Sequence, residues 1–269
     1  MPSRIRRRIE GAARLFGYNL ILSGHKKEIS IYRGFPVDMD DRFKKIYEVC
    51  REYTVTSIER MYALYKAVEY IVNEKIPGDF VECGVWKGGS SMVIAKTLLN
   101  MKETKRKIYL YDTFAGMSKP TEKDMQSFDS VAAIKVWRRK QKKDHNEWAF
   151  SPIYEVKKNM LATGYPEKNI VYVEGKVEDT IPETIPAKIA LLRLDTDWYE
   201  STYHELKHLF PLVSYKGVLI IDDYGHFTGA KEATDKYLKE TGNKMLLNRI
   251  DYTGRLGIKL EKSKSMEGR

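Results

Sequence analysis

Cysteine is nearly missing from this chain: two residues in 269, Cys50 and Cys83. Their spacing is that of neither a metal site nor a redox pair, and a disulfide framework is excluded, which suits a reducing interior. Long apolar runs are missing as well. None reaches the ~18 residues a membrane-spanning helix requires, and no secretory signal pattern opens the chain, so a cytoplasmic location is expected. Neither G-x-G-x-x-G nor G-x-x-x-x-G-K-[ST] occurs, which disfavours a dinucleotide cradle and a nucleoside triphosphate site. No internal repeat and no low-complexity tract is found.

Acidic charge is also short, with 37 Asp+Glu against 47 Lys+Arg and a net charge of +10. That excess is compatible with nucleic acid, a membrane surface or an acidic substrate. Much of it lies in two stretches. The first is "MPSRIRRRIEGAARLFGYNLI", where Ile5, Ile9, Ala12, Phe16 and Leu20 recur at helical spacing among five arginines. It reads as a basic N-terminal arm and helical extension over residues 1–55, packed on its own domain or a partner subunit. Peripheral membrane contact is the alternative. The second is "VWRRKQKKDHNEW", a solvated charged helix face or a cover for an anionic substrate, inside a long irregular connector over residues 113–150 that reads as a lid insertion.

From residue 56 to 269 the pattern alternates. The spacing predicts a helix with Ile58, Met61, Leu64, Tyr65, Val68 and Ile71 on one face, opened by Thr56 and Glu59 as a capping box. Short apolar runs follow, "GDFVECGV", "KIYLYD", "NIVYVEG", "KIALLRLD" and "GVLIIDD", separated by helical patterns. "KMLLNRI" and "RLGIKLE" read as a closing antiparallel pair. This is an α/β fold, a mostly parallel, Rossmann-like sheet covered on both faces.

In such sheets ligands sit beyond the carboxyl ends of the strands, near the point where strand order reverses. Each strand here ends in a carboxylate: Glu82, Asp112, Glu174, then Asp195 with Asp197, then Asp222 with Asp223. One such residue is an ordinary helix cap, but carboxylates in that number repel one another unless a cation or hydrogen-bond donors compensate. The turn "VECGVWKGGSS" adds Gly84, Gly88, Ser90 and Ser91 before a helix start. With Asp112 placed to take ribose hydroxyls, and Gly175 ending the third strand, it suits a nucleoside without phosphates. S-adenosylmethionine is the obvious candidate.

The segments "PGDFVECGVWKGGSSM", "YDTFAGMSKPTEKD", "IALLRLDTDWYEST" and "IIDDYGHFTGAKEATDKY" together resemble the macrocin O-methyltransferase (TylF-type) family, in order, over about residues 50 to 240. The resemblance implies a class I methyltransferase fold with a seven-stranded sheet, S-adenosylmethionine as donor, magnesium, a sugar hydroxyl as acceptor and a dimer or larger homo-oligomer. It also implies that Asp195, Asp222 and Asp223 hold the metal and that Asp195, itself beside the cofactor, is the general base. His226 is a rival base, since an ordinary histidine titrates near neutrality. Asp197 is expected to cap the following helix, and His204 with His208, one helical turn apart, to be packing residues.

The expected activity is therefore magnesium-dependent O-methylation of a sugar on a glycan or glycosylated natural product, in polysaccharide or antibiotic biosynthesis. The acceptor could be free, anionic, nucleotide-linked or lipid-linked. A catechol-type small-molecule methyltransferase is the runner-up. A nucleic-acid methyltransferase is disfavoured, because an acidic crevice repels phosphates and no RNA-binding module is present.

Overall fold

The computed structural model describes residues 18–22 and 29–33 as backbone and residues 35–127 and 132–260 in full. The chain divides into two units, residues 1–45 and 46–269, earlier than the expected boundary at 55.

In the first unit, β1 (Tyr18–Leu22) and β2 (Ile29–Arg33) pair antiparallel, from Tyr18 opposite Arg33 to Leu22 opposite Ile29. This corrects the helical reading where it reached Leu20. "YNLIL" and "ISIYR" are rich in aromatic and β-branched residues that favour a paired strand. The rest of the expected arm helix lies outside the described residues. Helix α1 (Asp41–Cys50) starts at Asp40, whose Oδ1 accepts the Arg42 and Phe43 amides at 2.9 Å each.

The second unit runs α2 (Ile58–Asn73), β3 (Asp79–Cys83), α3 (Gly89–Asn100), β4 (Ile108–Asp112), α4 (Ala133–Lys140), α5 (Ile153–Leu161), β5 (Ile170–Glu174) and α6 (Val177–Thr180). It continues with β6 (Ile189–Leu194), α7 (Tyr199–Leu209), β7 (Val213–Ile221), α8 (Thr228–Thr241), β8 (Asn248–Arg249) and β9 (Arg255–Ile258). The strands form one sheet in the order β5-β4-β3-β6-β7-β9-β8. The first five are parallel, and β9 joins β7 and β8 antiparallel. This is the expected class I arrangement.

Helices on both faces explain the unbroken apolar strands. β6, "IALLRL", is buried at every position, Arg193 included. Val81, Tyr111, Leu192, Leu219 and Leu206 share one core cluster. Cys50 and Cys83 are buried free thiols. The cap of α2 is Ser57, which accepts the Arg60 amide at 3.2 Å, one residue later than the expected Thr56. Among the described residues no helix is long and apolar enough to cross a membrane.

Chain order reverses between β3 and β6, so the switch point lies where Gly84 and Asp195 leave their strands. There the backbones touch: the Asp195 amide donates to Cys83 O at 2.8 Å, and a Cβ on Gly84 would lie 2.1 Å from Asp195 O. Only glycine fits that approach, and its φ of +82° is costly for any residue with a side chain.

Candidate active site

The turn after β3 is held by the next strand. Asp112 Oδ2 accepts the Val85 and Trp86 amides at 2.6 and 3.1 Å, and its Oδ1 accepts Phe114 N at 2.8 Å. Burial raises the Asp112 carboxyl while these amides oppose the shift. Gly88, at φ +89°, opens α3, and Gly175 N donates to Asp112 O at 3.0 Å. Gly84, Gly88, Asp112 and Gly175 thus stand at one edge of the sheet.

Glu82 and Ser91, expected at the cofactor, are placed differently. Glu82 is 1% exposed, and its Oε2 accepts the hydroxyl of the fully buried Ser91. Its other oxygen takes Arg193 Nη1 at 2.7 Å. The two residues are buried and bonded to each other, and Glu82 is bonded to Arg193 as well. Ser90 is buried as well.

On the other side of the switch point, Asp195, Asp197 and Asp223 each bring a carboxylate oxygen to within 4.8 Å of the others. Asp222, expected with them, is buried next to Asp195 and held by two guanidiniums: Arg193 Nη2 meets its Oδ1 at 2.5 Å, and Arg60 Nη1 from α2 pairs with its Oδ2. Asp197, not expected in the group, joins Asp195 and Asp223. It is not the N-cap of α7: that position is Trp198, and the Tyr199 amide is taken by Asp124. Asp197 sits at φ +69°, an uncommon conformation that costs energy in a residue other than glycine.

The two sets differ electrostatically. Burial raises Asp195 well above its ordinary value despite Arg193, with Asp222 and Asp223 adding to the rise. Burial also raises Asp223, with Asp197 adding to it, and lifts Asp197 to about 7. Asp222 goes the other way: burial opposes its ionisation, yet Arg193 and Arg60 together hold it below the ordinary carboxylate range. Asp223 Oδ2 is buried with no hydrogen-bond partner among the described residues.

Arg193 is the centre that sequence reasoning missed. It is 2% exposed and binds carboxylates at three neighbouring strand ends: Glu82, Asp195 (2.7 Å) and Asp222. The signal was there, since an arginine inside "IALLRL" is a buried charge that requires partners. Arg60 gave no such signal. It also binds Asp251 Oδ2 at 3.0 Å, where the Ser57 hydroxyl joins at 2.7 Å, and a Cβ on Gly254 would lie 2.9 Å from its Cδ.

His226 lies four residues beyond Asp222, with Nδ1 at 3.2 Å from the Tyr252 hydroxyl and its ring edge-on to Phe227. His204 and His208 are on α7, with His204 Nε2 on Ile181 O at 2.9 Å.

The described residues of the insertion are largely irregular, as expected, with one helix, α4. The insertion shares a small core with the segments after β6 and β7: Trp198 packs edge-to-face on Trp148 and Phe227 with centroids 5.5 and 5.0 Å apart, and Trp148 lies tilted against Phe227 at 6.3 Å, beside Ala133, Ala230 and Met117. Trp198 Nε1 donates to Ser118 O at 3.0 Å, and buried Asp124 accepts the Tyr199 amide at 2.8 Å, capping α7 from a distance. Residues 113–127 and 132–150 therefore pack beside the turns that follow both aspartate pairs, because their aromatic residues have a partner surface there.

A family model described as macrocin-O-methyltransferase (TylF) matches residues 16–256. The 8-demethyl-8-(2,3-dimethoxy-alpha-L-rhamnosyl)-tetracenomycin-C 4'-O-methyltransferase of Streptomyces olivaceus is 31% identical over 236 residues, 88% of this chain and 86% of its own. Mycinamicin III 3''-O-methyltransferase of Micromonospora griseorubida is 28% identical over 205 residues, 75% of this chain and 76% of its own. Among solved structures, the O-methyltransferase NovP is similar with a TM-score of 0.68 at 28% identity, over 78% of this chain and 83% of that one.

Proposed function

This chain belongs to the macrocin O-methyltransferase family and is an S-adenosylmethionine-dependent O-methyltransferase; from that premise we propose that it methylates a sugar hydroxyl at a divalent-cation site made by Asp195, Asp197 and Asp223. The observation that carries the proposal is the convergence of three carboxylates, one of which, Asp223, has a buried Oδ2 with no hydrogen-bond partner among the described residues. Hard oxygen donors of this kind suit magnesium, which takes a few carboxylates and leaves its other positions to water and substrate. A bound cation would also offset the burial, and the added repulsion, that raise all three carboxyls.

Sugar hydroxyls are very weak acids. When bound, the cation would lower the pKa of the acceptor hydroxyl and fix its direction, and S-adenosylmethionine would supply the electrophilic methyl. The chain's own residues do the rest. Gly84 lets the cofactor turn close onto the Asp195 backbone, and Asp112 keeps that turn in shape through the Val85 and Trp86 amides. Asp195, at the switch point between the cofactor turn and the other aspartates, takes the hydroxyl proton. The acceptor is the sugar of a glycan or glycosylated natural product, a reading supported by the rhamnosyl group in the name of the Streptomyces olivaceus relative.

The test is turnover with a glycosylated acceptor in metal-free buffer. Chelator should abolish methyl transfer while calorimetry still shows S-adenosylhomocysteine binding, and magnesium should restore turnover. Full activity in chelator would remove the metal from the mechanism. Turnover with catechols and none with sugars would reassign the acceptor.

A further inference from the structure

Arg193 has an odd place for an arginine: the end of the central strand, 2% exposed, directly behind the aspartates. Its single Nη1 bridges Glu82 Oε1 and Asp195 Oδ2 at 2.7 Å each, while Nη2 holds Asp222 Oδ1 at 2.5 Å. These three carboxylates end three adjacent strands, β3, β6 and β7. Glu82 in turn is bonded to Ser91, on the first turn of α3 behind the cofactor glycines. One planar guanidinium thus ties the floor of the cofactor turn to the floor of the aspartate group.

We propose that Arg193 is a positioning residue for the cation site: by gripping one oxygen of Asp195 it sets the direction of that carboxylate towards Asp197 and Asp223. The proposal rests on the metal reading above. A fork of fixed donors can make this three-way grip, whereas an ammonium is a point charge without a set direction. Glu82 and Asp222 hold the fork on either side, and Arg60 closes the far oxygen of Asp222. Asp195 is therefore the one member of the trio that is itself gripped by Arg193.

A counter-charge and a positioning residue make opposite predictions. Arg193 is a cation beside a cation site, so if charge were its whole contribution, removing it would tighten metal binding. If it positions Asp195, removing it loosens binding, by about 10- to 100-fold where outer partners orient a ligand.

The test is the pair Arg193→Met with Glu82→Gln, which removes one positive and one negative charge and leaves the net charge of the buried group unchanged. Mn²⁺ titration of the metal-free full chain, followed by electron paramagnetic resonance, gives the affinity. Calorimetry with S-adenosylhomocysteine and a circular dichroism melt report the cofactor turn and the fold. The expected result is a folded protein that keeps S-adenosylhomocysteine affinity and loses Mn²⁺ affinity by about 10- to 100-fold. Arg193→Lys, which keeps the charge without the fork, should lose Mn²⁺ affinity too, and it decides the matter if the double variant does not fold. Mn²⁺ binding equal to or tighter than wild type in a folded variant, or full recovery with lysine, would overturn the positioning role. Absence of Mn²⁺ binding in the wild-type protein would overturn the metal reading, and this proposal with it.

Discussion

Two acidic groups lie side by side at the same sheet edge and have opposite characters. Glu82, Asp222 and Asp251 have their carboxylates taken up by Arg193, Arg60, Ser57 and Ser91 and form part of the framework. Asp195, Asp197 and Asp223 share a single gripped oxygen, and all three carboxyls are raised. The residue type is nearly the same throughout, and the strand ends are neighbours. What separates the two groups is whether donors hold both oxygens of each carboxylate, as they do for Glu82, Asp222 and Asp251, or only the one oxygen of Asp195 that Arg193 takes. Availability for chemistry is set here by the placement of these donors more than by the placement of the acids.

The sharpest way to break that contrast is to treat the two groups alike. Asp195→Asn removes the assigned proton acceptor and should lower kcat by about 10²- to 10⁴-fold, with the melting profile preserved and little recovery in added magnesium. His226→Ala should have a far smaller effect on kcat; a loss as large as that of Asp195→Asn, with Mn²⁺ affinity intact, would transfer the proton to His226.

Stability should discriminate next. Asp222→Ala leaves Arg193 and Arg60 facing an absent partner inside the protein and should cost about 3–5 kcal/mol in urea denaturation. Asp223→Asn removes a charge from the crowded group, so the metal-free protein should be no less stable than wild type while activity falls. Equal losses in the two variants would erase the distinction drawn between framework and open carboxylates.

A pH series sharpens the same point. The folded protein holds a proton on Asp197 up to about 7, whereas the unfolded chain releases it near 4. Stability from this group is therefore fully present below the unfolded value and lost as pH rises through about 7. Asp195 and Asp223 push the same way. Thermal melts in chelator should fall between pH 5 and 8, and added magnesium should restore more at pH 8 than at pH 6. A flat difference would separate the raised carboxyls from the metal.

The smallest effect is expected furthest from the aspartates. Arg138 and Arg139 are exposed on α4. Replacing both with Ala should raise KM modestly for an anionic acceptor and leave kcat unchanged; the same rise with a neutral acceptor would assign them to packing.

The fold was legible in the sequence because each strand is a short apolar run that ends in a polar residue, and the runs alternate with helical patterns. The edge carrying the aspartates followed from the same pattern. Which oxygens face outward did not. Asp222 and Asp223 look equivalent as "DD", and they differ because Arg193 and Arg60 both hold Asp222; the second lies 162 residues away, a contact no local spacing encodes. The inward role of Asp195's neighbour was more accessible. In "RLD" the arginine and aspartate are two residues apart, and side chains at that interval project to one side of a strand. What the insertion packs on was hidden for a related reason: the residues Trp148 meets, Trp198 and Phe227, follow later strands.

Asp124 carries a practical lesson for anyone who would exchange that insertion between relatives to alter acceptor choice. Its buried carboxylate caps α7 at Tyr199, and a side chain on Gly229 would lie 2.0 Å from its Oδ1. A grafted loop that lacks an acceptor at this position would uncap the helix leading away from Asp197, and one that brings a bulkier group would collide with α8. The transferable part is not a loop but a trio inherited together: the insertion's aspartate, the helix start at Tyr199, and the glycine at 229.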